Sequence, residues 1–157
     1  MEFISYFSIL VISYLGLGAG IALALVAKEE IEPGKKYFKI LQNYLVAAIV
    51  LITIYFLELP WLPWIFFIGI TVLIFKFNNK RKKSFLIYLL LAVIFWMSVQ
   101  KYSSFRIDVL FPIVSSLIFL LGFPTGTLLI NIKKKNIIPV MISNIHYIII
   151  GLILYLI

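Results

Sequence analysis

The sequence predicts an all-α fold: a polytopic membrane protein, built as a bundle of six transmembrane helices with short loops and both termini outside. Three observations carry this reading. Hydrophobic residues make up 64% of the 157 positions and charged residues only 13%, whereas a water-soluble domain runs nearer half and a quarter. Six apolar stretches approach the roughly 20 residues needed to cross a hydrocarbon core. The basic residues fall almost entirely in alternate connections, as membrane topology requires.

In chain order the expected spans are residues 3–27, 38–57, 61–77, 84–99, 109–130 and 137–157, all within a single transmembrane domain. The first has no basic flank ahead of it and a positive flank behind it, so it reads as an uncleaved span rather than a signal peptide. The loop over residues 28–39 precedes the second, and its Pro33-Gly34 pair suits the central positions of a type II turn. The third and fourth stretches are the shortest, and 61–77 also fits a re-entrant segment. Pro60 and Pro63 bracket the turn between the second and third. Asp108 and Asn136 are placed to cap the fifth and sixth helices.

Twelve of the fourteen basic residues lie in three connections. Lys28, Lys35, Lys36 and Lys39 are in the first, Lys76, Lys80, Arg81, Lys82 and Lys83 in the third, and Lys133, Lys134 and Lys135 in the fifth. Only Lys101 and Arg106 lie on the other side, so the odd-numbered connections are expected in the cytoplasm. Trp61, Trp64 and Trp96 fall at the opposite boundary, where amphipathic rings prefer to sit. The net charge of +8 therefore reads as a topology signal, and no nucleic-acid partner is expected. The expected partners are the lipid bilayer and, within it, other membrane proteins or further copies of the chain.

A shift of 106 residues aligns 12–33 with 118–139 and matches eight of twenty-two positions, including Gly16 with Gly122, Gly20 with Gly126 and Pro33 with Pro139. Half that shift places Gly69 in the same glycine column. The pattern hints at a triplicated helical hairpin; evenly spaced hairpins of biased composition would also match by accident.

Candidate functional residues are few. Gly16 and Gly20 on the first helix, and Gly122 and Gly126 on the fifth, form small-xxx-small patterns that let backbones approach closely. They suit a dimer face, a substrate path or, more commonly, packing inside the bundle. Pro124 removes one backbone hydrogen bond, and Thr125 follows it; the stretch suits a broken transporter helix or, more commonly, a routine membrane proline re-satisfied by its neighbours. His146, the only histidine, lies about midway along the last span. Ser143 and Tyr147 flank it at i−3 and i+1; Ser143, Tyr147 and Gly151 line one face, with Asn144 on its shoulder. An ionisable group at that depth is costly to bury and marks a functional site or an interhelical hydrogen bond.

Other chemistry is excluded by what the sequence lacks. There is no cysteine, hence no disulfide or thiolate site. The six acids, Glu2, Glu29, Glu30, Glu32, Glu58 and Asp108, all fall outside the expected spans, so paired carboxylates for hydrolysis or proton pumping are not expected. No phosphate-binding loop, metal-ligand cluster or nucleophile motif occurs. The reading that follows is a non-catalytic scaffold or accessory subunit of a membrane complex, with no catalytic residue, cofactor or metal. The alternative is a small oligomeric carrier or channel for a small solute or ion.

Overall fold

The computed structural model describes residues 2–57, 61–76, 80–100, 107–130 and 137–156. Six helical rods run through these residues, and no strand occurs among them. They are α1 (Phe3–Val26), α2 (Lys28–Leu57), α3 (Trp61–Lys76), α4 (Lys80–Met97), α5 (Ile107–Leu129) and a last rod divided into α6 (Ile137–Asn144) and α7 (His146–Leu156). Four are long and apolar enough to cross a membrane: Phe3–Val26, Lys28–Leu57, Val109–Leu129 and Ile137–Leu156. Of the remaining two, α3 has only sixteen residues, and α4 opens with the basic run Lys80, Arg81, Lys82 and Lys83.

The largest departure from expectation is at the first connection. Residues 28–39 are not a loop, and Pro33-Gly34 is not a turn; α2 starts ten residues early and carries Pro33 inside it. Ala27 alone joins α1 to α2. Its N–H donates to the Leu23 carbonyl (2.9 Å), closing α1, and its own carbonyl accepts from Glu30 (3.2 Å) and Ile31 (3.1 Å), opening α2. Pro33 is the sixth residue of that helix; it lacks the N–H that would bond to the Glu29 carbonyl, and its ring crowds that oxygen. Burial of Ile31 and a Glu32–Lys35 ion pair (3.2 Å) hold the turn around it. At the other caps, Asp108 lies inside the first turn of α5 rather than ahead of it. Asn136, Pro60, Glu58, Lys101, Arg106 and Lys133–135 fall outside the described residues.

The core follows helical periodicity. Tyr6, Leu10, Leu17, Ile21 and Ala24 line the inner face of α1, which packs chiefly on α5, while α2 also packs on α5 and α4 packs on α7. By contrast, among the side chains described on α3 the buried ones are Phe67, Thr71 and Ile74, a stripe one residue wide, while Ile65, Phe66 and Leu73 are exposed. A surface this apolar suits a hydrocarbon solvent, where exposed Leu and Ile carry no penalty.

The closest approach in the fold is between α1 and α5. A Cβ on Gly20 would strike the Phe123 carbonyl and lie 2.7 Å from the Gly122 carbonyl oxygen; one on Gly126 would strike the Leu17 carbonyl. Likewise, a Cβ on Gly16 would meet Phe119, and one on Gly122 would meet Gly16. Only hydrogen fits at these four positions, and their backbones are in van der Waals contact as a result.

Candidate functional site

The residues singled out by sequence fall into two separate sets. Gly16, Gly20, Gly122 and Gly126 face one another across the α1–α5 seam, on the inside of the molecule. Pro124 and Thr125 lie buried on the same stretch of α5, which stays helical through both Pro112 and Pro124. The Thr125 hydroxyl donates to the Leu121 carbonyl one turn back (2.8 Å) and accepts from Gln42 Nε2 of α2 (3.0 Å). Thr127 donates to the carbonyl of Pro124 (2.9 Å). These bonds give the polar groups near the proline local partners, as proline in membrane helices requires.

The second set lies at the break in the last rod. Its inward face is Val140, Asn144, Tyr147 and Gly151; Ser143 is exposed, so the expected roles of Ser143 and Asn144 are exchanged. Asn144, 2% exposed, accepts from the Ser84 hydroxyl of α4 (2.6 Å) and donates to the Val140 carbonyl (2.7 Å) and to Ser143 Oγ (3.2 Å). Tyr147 faces α1. Ser13 donates to the Leu10 carbonyl, which leaves the Tyr147 phenol to donate to Ser13 Oγ (2.8 Å). Gly151 lets Tyr6 of α1 reach its carbonyl (2.8 Å), with Leu10 filling the space above it.

His146 follows the break at Ile145 and turns toward α4. Its Nδ1 is 3.2 Å from the Ser143 carbonyl, its Nε2 is 3.1 Å from the Phe85 carbonyl, and its ring lies tilted by 33° against the Phe85 ring, 4.4 Å between centroids. A neutral imidazole donates to only one of the two oxygens, whereas a ring with two N–H groups donates to both. Because Phe85 is near the basic start of α4, His146 is level with that end of α4 and not with its middle.

Around this break lies a half-open recess of about 450 Å³. The buried Ser84–Asn144 pair forms its floor, and the exposed Lys82, Ser143 and Phe85 its rim; Leu86 and Leu129 complete the wall. Next to Lys82, Lys83 is only 7% exposed and donates to Asn43 Oδ1 of α2 (2.7 Å). Burial lowers the Lys83 ammonium below its ordinary value, and the nearby Lys39 charge adds to that. Gln42, Asn43, Lys83 and Ser84 were not among the residues singled out by sequence. For Gln42 there was a usable signal: it falls on the helical stripe Gln42, Val46, Ile49, Val50 and Thr53 that α2 buries. For Lys83 there was none, since a buried lysine and a solvated one read alike in a basic cluster.

Among the described residues no group of three His, Cys, Asp or Glu side chains is placed to hold a metal ion. No protein-family model, curated protein or solved structure matches the chain.

Proposed function

We propose that the chain is a six-span, multi-pass protein of the cell membrane, with its odd-numbered connections cytoplasmic and both termini outside. It serves as a non-catalytic scaffold or accessory subunit of a membrane complex. One observation carries the role. Among the described residues, several polar side chains tie one helix to another: Gln42 to Thr125, Ser84 to Asn144, Lys83 to Asn43, Tyr147 to Ser13 and Tyr6 to the Gly151 carbonyl. Such bonds act as interhelical glue in lipid, and a body held this way offers partners its surface rather than a reaction centre.

Two points support the finer reading. At 1.5 Å per residue α3 is about 24 Å long, and a short span is accommodated by local thinning of the bilayer. The α1–α5 seam is reciprocal under the 106-residue shift: Gly20 meets Phe123 as Gly126 meets Leu17. Each hairpin's first helix also packs on the other's second, α2 on α5 and α7 on α1. This exchange supports descent of the first and last hairpins from one repeated unit.

The test is tagged purification from native membranes in mild detergent, with mass spectrometry of what accompanies the chain. Defined subunits in fixed ratio are expected; a lone monomer would count against the role. The carrier reading rests on the break at Ile145, with His146 held between two carbonyls beside the recess. It gains if the chain emerges alone as a homo-oligomer and reconstituted vesicles show a solute flux that His146→Gln abolishes.

A further inference from the structure

The recess between α4, α5 and α6 has the make-up of a site for an amphiphile. Its rim carries a cation, the Lys82 ammonium, and its walls are the apolar side chains of Phe85 and Leu129. Its volume of about 450 Å³ lies in the range of small-molecule sites. Packing alone does not require a polar floor facing such a space, yet Ser84 and Asn144 are both there and buried.

The hydrogen-bond inventory narrows the ligand. The Ser84 hydroxyl gives its hydrogen to Asn144 Oδ1, and the Ser143 hydroxyl gives its hydrogen to the Val140 carbonyl. Both Asn144 amide hydrogens are engaged as well, with the Val140 carbonyl and Ser143 Oγ. The two serine oxygens therefore offer acceptor lone pairs to the recess, while Lys82 offers positive charge at its rim. A ligand that matches has an anionic group for Lys82, hydroxyls for the serines and hydrocarbon for Phe85 and Leu129.

The geometry points to this recess as a binding site for an anionic phospholipid with a hydroxylated headgroup, its phosphate on Lys82 and its upper acyl chain against Phe85 and Leu129. The inference rests on the membrane reading above with α4 as one of the spans, but not on the scaffold role. With α4 crossing, its basic start sits at headgroup level, where each lysine attracts anionic lipid.

The test is native mass spectrometry of the full chain in detergent, titrated with phosphatidylglycerol, phosphatidylcholine or inorganic phosphate. Phosphatidylglycerol is expected to bind about fivefold more tightly than phosphatidylcholine, the worth of one lysine contact. Lys82→Gln is expected to erase that preference, while Lys36→Gln, at an exposed lysine of α2, leaves it intact. Leu129→Trp, which fills the recess, is expected to weaken both lipids; should it fail to fold, the rim substitution still decides. Equal binding of the two lipids would overturn the proposal, as would equal effects of the two lysine substitutions. Full displacement of the lipid by millimolar inorganic phosphate would overturn it too, by making a free anion the ligand.

Discussion

Lys83 is a cation held where solvent is scarce, with a neutral partner and a like charge nearby. Its depressed titration sets the sign of a pH effect. Just below the ordinary lysine value of 10.5, the unfolded chain binds a proton that the folded chain does not, so stability rises with pH through that window. As pH rises toward that value, the parent's thermal midpoint in detergent is expected to gain on that of Lys83→Gln, which can still donate to Asn43 but does not titrate. An unchanged difference between the two would mean that Lys83 is solvated. The Gln42–Thr125 bond is testable in the same assay. A double-mutant cycle with Gln42→Leu and Thr125→Val is expected to return a coupling of about 0.6 kcal/mol and no more than about 1.7, the span measured for membrane hydrogen bonds.

At the scale of helices, small residues divide by what faces them. Gly122→Ala should drive α1 and α5 apart at a cost of about 1–3 kcal/mol, whereas Gly69→Ala meets nothing within 4 Å and should stay within about 0.5 kcal/mol of the parent. Unfolding in mixed micelles separates the two, and equal effects would dissolve the distinction. Both glycines sit in one column of the sequence repeat, so composition and spacing could not tell them apart. Hydropathy was enough to place the rods, because burial in lipid demands an apolar run whatever the fold. It was not enough for the joint at Ala27, because Pro33-Gly34 fits the centre of a type II turn and helix interiors disfavour both residues. Nor was it enough for the pairing of Ser84 with Asn144 or of His146 with Phe85, since hydroxyls, amides and imidazoles acquire partners only when distant helices meet.

For the whole molecule, orientation is the property most open to experiment, because the chain has no cysteine. Single cysteines introduced at Glu2 and at Lys36 should react with an impermeant thiol reagent from opposite sides, Glu2→Cys in intact cells and Lys36→Cys only after lysis. Labelling of both from one side would refute the topology.

The seam between α1 and α5 also sets a timetable. Gly16 and Gly122 are 106 residues apart, so at roughly 5–20 residues per second the ribosome needs about 5–20 s to make the second after the first. Throughout that interval the first helix lies in the bilayer with its glycine notch open to any passing small-residue helix. Chains stalled before residue 107 never close it.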